Sequence, residues 1–297
     1  MFAGSMTALV TPFKGGKVDE KALRALVRFQ IKNGTHALVP SGTTGESATL
    51  SHEEHRMVTD IVIDEAAKKI PVIAGAGSNN TTEAVALTMH AEKAGADGIL
   101  SVVPYYNRPS QEGIYRHFKA IADKTSLPVI VYNIPGRTGV NMTPETIARL
   151  AEIDNIVGLK DAGGNLTQTA ETLHLCKGKI KVYAGDDSLF LPMLAIGASG
   201  GICVVSNIAP KLSARLFEAW KAGDIKKALQ LHYKLHLLNR VLYLETNPIP
   251  IKWAVHRLGL ISDEIRLPLT ILSEKFQPQV EAAMRVLRSV PPASRRG

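Results

Sequence analysis

The sequence predicts an α/β protein, a (β/α)8 barrel of the TIM type followed by a C-terminal α-helical domain. Three observations predict it. Short apolar runs recur about every thirty residues, amphipathic helical patterns fill the intervals, and from residue 225 onward the pattern is helical alone. Strands alternating with helices make a parallel sheet, and eight such units close into a barrel. The barrel is assigned to residues 1–224 and the helical domain to 225–297, with no low-complexity linker between them.

The predicted strands are residues 6–10, 37–40, 71–74, 98–102, 128–132, 156–160, 180–184 and 200–204. Each is short, apolar and bounded by turn residues, as strands buried on both faces are. Between the first two, Leu23, Leu26, Val27 and Ile31 share one helical face that ends before Gly34. Ser51 with Glu54 forms a capping box for the next helix. Asn80 with Glu83 reads as another, opening a helix over 84–94 that Gly95 closes. Thr143 caps a third, with Pro144 at its first position. Helical patterns at 225–243, 249–258 and 279–287 build the C-terminal domain.

The 297 residues are 45% hydrophobic, enough for a sizeable core, and no apolar stretch is long enough to span a membrane. The N-terminus lacks a basic segment and runs straight into the first strand, so it does not read as a signal peptide. Cys176 and Cys203 lack metal-ligand spacing and read as reduced thiols of a cytoplasmic protein. The net charge of +8 is spread over helices, only 5% of residues are aromatic, and the one dense basic spot is Arg295-Arg296 beside Pro291-Pro292. That is general surface basicity suited to small anions; neither nucleic acid nor a membrane is an expected partner.

In such a barrel, function sits on the loops after the C-terminal strand ends. Five of those loops carry chemistry. Lys160 ends the sixth run. A lysine there is poorly solvated, which favours the neutral amine needed to attack a carbonyl, although it could also snorkel to solvent or pair with Asp161. Gly42-Thr43-Thr44-Gly45-Glu46 follows the second run; its hydroxyls and N–H groups suit a carboxylate or phosphate, or simply a tight turn. No Gly-Lys-Ser/Thr follows it, which removes a Walker loop. Tyr132 can shuttle protons or merely pack on the barrel top. Arg137 can fork onto a carboxylate or lie on the surface. Pro104-Tyr105-Tyr106 and Gly185-Asp186-Asp187 complete the rim. His52-Glu53-Glu54-His55 has i,i+3 histidines and no third ligand, so it reads as a capped helix start and no metal is expected.

Taken together, Gly42-Thr43-Thr44-Gly45-Glu46, Tyr132-Asn133-Ile134-Pro135-Gly136-Arg137-Thr138, Gly158-Leu159-Lys160-Asp161 and Gly185-Asp186-Asp187 resemble the signatures of the pyruvate-dependent class I lyase/aldolase family. The resemblance spans the chain and includes Asn247-Pro248-Ile249-Pro250; Arg137 within Pro-Gly-Arg-Thr points to a synthase branch. It implies an imine between Lys160 and pyruvate, with the pyruvate carboxylate held at Thr44. Tyr132, Thr43 and Tyr106 would form a proton relay, Tyr106 coming from a neighbouring subunit. Arg137 would receive the carboxylate of L-aspartate 4-semialdehyde, and Gly185 and Ile202 would supply backbone around the pyruvate pocket. The resemblance also implies no cofactor and a homotetramer built as a dimer of dimers. L-lysine would be an inhibitor bound by Ser47, Ala48, His52, His55, Asn79, Glu83 and Tyr105. The alternatives are a sugar-acid aldolase, such as N-acetylneuraminate lyase, and a non-catalytic barrel that binds a small carboxylate.

Overall fold

The structure, a computed structural model, describes residues 2–289. The basic tail at Arg295-Arg296 and the end of the expected C-terminal domain lie outside the described residues. Eight parallel strands form the barrel: β1 (Gly4–Ala8), β2 (Ala37–Val39), β3 (Ile73–Gly75), β4 (Gly98–Val102), β5 (Val129–Asn133), β6 (Ile156–Asp161), β7 (Lys181–Ala184) and β8 (Gly200–Cys203). They are ordered β2-β1-β8-β7-β6-β5-β4-β3. A parallel bridge between Leu38 and Val72, with the Leu38 N–H donating to the Pro71 carbonyl at 2.9 Å, joins the two ends and closes the ring.

Each barrel strand is followed by a helix: α1 (Glu20–Lys32), α2 (His52–Ala66), α3 (Thr81–Ala94), α4 (Gln111–Ala122), the short α5 (Pro135–Thr138) leading to α6 (Pro144–Leu150), α7 (Leu166–Cys176), α8 (Phe190–Ala195) and α9 (Pro210–Lys221). The C-terminal helices are α10 (Ile225–Val241), α11 (Ile249–Arg257) and α12 (Gln277–Met284). No described helix is long and apolar enough to cross a membrane.

Period-two alternation divides the core. Met6, Ala8, Val39, Ile73, Leu100, Ile130, Tyr183 and Ile202 point inward and fill the barrel, while the other faces pack on the helices. Gly158 makes room for the largest of these plugs: a Cβ there would lie 2.8 Å from the Tyr183 ring.

The first strand runs two residues earlier than expected, because its ladder begins at Gly4 opposite Gly200. Leu9 and Val10 remain buried beyond its end. The periodicity of the sequence also gives no sign of the small antiparallel ribbon Phe13–Lys14/Lys17–Val18. One capping expectation is corrected. The Ser51–Glu54 box forms, but Asn80 caps α3 alone, through the Thr82 N–H. Glu83 instead accepts a hydrogen bond from the Ser78 hydroxyl at 2.6 Å, because the Asn80 N–H that a capping box would use is committed to that hydroxyl's oxygen at 3.0 Å.

His117 of α4 is buried, with Nδ1 2.9 Å from the Thr81 hydroxyl and Nε2 unpartnered. Burial lowers its pKa to about 4. The folded value lies below the unfolded one, so the stabilisation is present above about pH 6.5 and lost as pH falls toward 4. Thermal melts should lose about 2 kcal/mol of stability between pH 7 and pH 5 on this account, and His117→Gln should remove that part. An unchanged pH response in the variant would refute the assignment.

Candidate active site

The strand ends place the site. β5 and β6 pair with Tyr132 opposite Lys160, so both side chains project from neighbouring strands into one cavity of about 510 Å³ at the C-terminal rim. Lys160 is 6% exposed, and its Nζ lies 4.2 Å from the centre of the Tyr132 ring. Burial pulls the lysine down to about 8; the nearby Cys203 and Asp187 oppose this and Arg137 adds to it. At pH 7 about a tenth of such an amine is neutral, against about one in three thousand for an ordinary lysine. Burial pushes the Tyr132 phenol up, with the Arg137 charge and a hydrogen bond to Thr43 pulling the other way. The phenol is therefore neutral, the form that can donate a proton.

The loop after β2 is folded on itself. Gly45 N–H donates to Gly42 O, Glu46 N–H to Thr43 O and Ser47 N–H to Gly42 O. Ser41 and Glu46 both hold left-handed backbone, at φ 55° and 54°. For residues with a Cβ that costs about 1–2 kcal/mol each, so outside contacts must hold the turn. Among the described residues the Thr43 and Thr44 N–H groups make no hydrogen bond, which leaves two donors for an anion. Gly75 permits the close approach of β3 behind this loop, since a Cβ there would sit 2.4 Å from the Ser41 carbonyl oxygen.

The other expected residues separate into those brought together and those not. Gly185 lines the cavity, and its N–H donates to the Asp161 carbonyl at 2.7 Å. Arg137, on α5, stands at the mouth and donates from Nη2 to the Asn247 carbonyl at 2.9 Å. Ile202 lies in the apolar barrel interior rather than on the cavity wall. Tyr106 is 89% exposed and does not line the cavity, so one chain assembles only the Tyr132–Thr43 part of the expected relay.

A side lobe of the same cavity gathers Ser47, Ala48, His52, His55, Glu83 and Tyr105. Glu83 sits 3.3 Å from His52 Nδ1. Asn79 holds the rim, its side-chain amide donating to the Tyr105 carbonyl at 3.2 Å. His55 is buried with Nε2 2.7 Å from the Gly75 carbonyl. That nitrogen must carry the proton, and burial lowers the ring's pKa, so His55 presents no cation to the lobe. Among the described residues no group of three or more His, Cys, Asp or Glu is placed to hold a metal.

Sequence reasoning missed the supports. The Asn247 side-chain amide donates to the Thr44 hydroxyl at 3.1 Å, while its backbone carbonyl accepts from Arg137. Asp187 is buried and accepts from the Val204 and Val205 N–H groups and from the Tyr243 hydroxyl at 3.3 Å; burial raises it to about 6. Asn247 stood inside a motif, and Asp187 beside a rim glycine, but nothing in their spacing shows what they touch.

A family model described as the dihydrodipicolinate synthetase family matches residues 1–287. The chain is 55% identical over 289 residues to the 4-hydroxy-tetrahydrodipicolinate synthase of Thermodesulfovibrio yellowstonii, covering 97% of this chain and 98% of that one. Among solved structures it is similar to a chloride-inhibited dihydrodipicolinate synthase from Acinetobacter baumannii complexed with pyruvate, with TM-score 0.95 and 46% identity, covering 98% of this chain and all of that one. It is also similar to the Cyanidioschyzon merolae enzyme with lysine bound, with TM-score 0.94 and 42% identity, covering 97% of this chain and 99% of that one. By its fold, its rim and these matches, the chain belongs to the dihydrodipicolinate synthetase family.

Proposed function

We propose that this protein condenses pyruvate with L-aspartate 4-semialdehyde to 4-hydroxy-tetrahydrodipicolinate, a lyase reaction that opens diaminopimelate and lysine biosynthesis. The observation that carries the reading is a buried lysine with a lowered pKa, beside a neutral tyrosine and in one cavity with Thr43 and Thr44, whose backbone N–H groups are free. The name of one relative gives the product and another relative is complexed with pyruvate; the semialdehyde is the four-carbon aldehyde that the resemblance of the sequence implies.

In this mechanism the pyruvate carboxylate sits on the Thr43 and Thr44 N–H groups, which brings the keto carbon to Lys160. The Nζ lone pair attacks that carbon, the oxygen takes one proton from the amine and one from Tyr132 and leaves as water, and a protonated imine results. The imine draws electrons from the methyl carbon, whose proton leaves through Tyr132 and Thr43. The resulting enamine attacks the aldehyde carbon of the second substrate, whose carboxylate Arg137 receives. The substrate's own amine then displaces Lys160 from the former keto carbon, which frees the lysine and closes the ring. A homotetramer, a dimer of dimers, would bring the exposed Tyr106 of one subunit toward the relay of its neighbour.

Pyruvate with borohydride should fix one adduct per chain on Lys160, and the trapping rate should rise with pH and level above about 8. Lys160→Ala and Lys160→Arg should abolish trapping and turnover while melting normally; near-normal turnover in either would sink the imine assignment. Arg137→Ala should still be trapped by pyruvate but should use the semialdehyde less well by about 1.5–3 kcal/mol in kcat/KM. If trapping were lost instead, Arg137 would belong to the first-substrate site.

L-lysine is proposed as an inhibitor in the side lobe, with Glu83 facing an ammonium and Tyr105 and Asn79 near its carboxylate. The lysine-bound relative supports this. Because His55 is committed to the Gly75 carbonyl, Glu83 is left as the principal charge partner there. Glu83→Thr should lose most inhibition by millimolar L-lysine in a steady-state titration. An uninhibited wild type, or undiminished inhibition in the variant, would refute the site.

A further inference from the structure

Behind the carboxylate-binding loop lies a buried ion pair that the chemistry of the reaction does not use. Lys252 of α11 places its Nζ 2.5 Å from Glu46 Oε1, and each side chain is 1% exposed. The second oxygen of Glu46 accepts the Arg266 backbone N–H at 3.1 Å. Arg266 reaches on to the Thr49 carbonyl at 2.8 Å and grips both oxygens of Glu54 on α2 at 2.6 Å. Both cations lie against the Phe13 ring, whose centre is 4.3 Å from Lys252 Nζ and 4.1 Å from the Arg266 guanidinium carbon.

Glu46 is also one of the two residues that hold the loop in left-handed backbone. Three residues upstream begin the free N–H groups of Thr43 and Thr44. The same C-terminal segment that supplies Lys252 supplies Asn247, which holds the Thr44 hydroxyl. The loop is thus pinned on both sides of Gly45 by one short stretch of the C-terminal domain. A fully buried pair needs a reason to exist, because an apolar pair of the same shape is often as stable. Here the reason is direction. A carboxylate fixed by two charge-assisted donors sets the path of its own backbone, which an apolar contact would leave free to slide.

We propose that Lys252 and Glu46 are positioning residues: their buried ion pair fixes the Gly42–Glu46 turn so that the Thr43 and Thr44 N–H groups face the pyruvate carboxylate. The inference rests on the pyruvate reading above. It concerns the first substrate alone, because the pair touches neither Arg137 nor Lys160.

The test is the double variant Glu46→Gln/Lys252→Met, which removes both charges at nearly constant volume and leaves no lone buried ion. It should melt close to wild type. Its KM for pyruvate should rise at least tenfold, with kcat and the KM for L-aspartate 4-semialdehyde each within about threefold and full borohydride trapping at saturating pyruvate. If the double variant does not fold, Glu46→Asp, which keeps the charge and draws it back by one methylene, carries the same expectation. A folded variant with an unchanged pyruvate KM, or with both KM values raised in parallel, overturns the proposal and leaves the pair a purely structural bond. If the wild type itself is not trapped by pyruvate and borohydride, it is the reaction reading that fails.

Discussion

Closure of the strand ring is the constraint on which everything else depends. A parallel barrel brings all its C-terminal strand ends to one rim, and here the ring closes between β2 and β3, at the Leu38–Val72 bridge and the hydrogen bond from the Gly75 N–H to the Pro40 carbonyl. That closure makes Tyr132, Lys160, Gly185 and the loop after β2 neighbours, although they lie far apart in the chain. It also fixes which face of each strand is inside. Tyr183 and Ile202 belong to the apolar filling of the barrel, and burial at its rim is the main cause of the lowered pKa of Lys160.

The rim is built from parts that are costly alone. A desolvated amine, left-handed backbone at Ser41 and Glu46, and a buried carboxylate at Asp187 would each destabilise an isolated barrel. Their compensation comes largely from outside the barrel. Asn247, Lys252 and Arg266 hold the turn, and Tyr243 reaches Asp187. The C-terminal segment therefore does more than cover apolar surface: α11 and the connections around it supply hydrogen bonds that keep the rim in a geometry its own sequence would not hold.

The side lobe follows a different logic. Its residues line the same cavity as Lys160, and the short helical turn at Ser47–Thr49 is among them. Its acidic residue, Glu83, is free of the capping role that the spacing from Asn80 suggests, and His55 is occupied by the Gly75 carbonyl. Charge in the lobe is thus concentrated on one carboxylate beside His52, which suits a cationic ligand.

The sequence by itself determined the units. Short apolar runs bounded by turn residues marked all eight strands to within a few residues, and caps and glycines marked most helix ends, because these signals are local: burial of a short strand and satisfaction of one helix end need only neighbours in sequence. It also singled out Lys160 and the Gly42–Glu46 loop, whose residue types are unusual at strand ends. What only the tertiary structure decided is long in range. Lys252 meets Glu46 across 206 positions, Asn247 meets Thr44 across 203 and Arg137 meets Asn247 across 110. Such pairings leave no periodic trace, because each depends on where two rigid elements come to rest. The outward turn of Tyr106 and the burial of Asp187 were set in the same way, by a folded surface that no stretch of sequence contains.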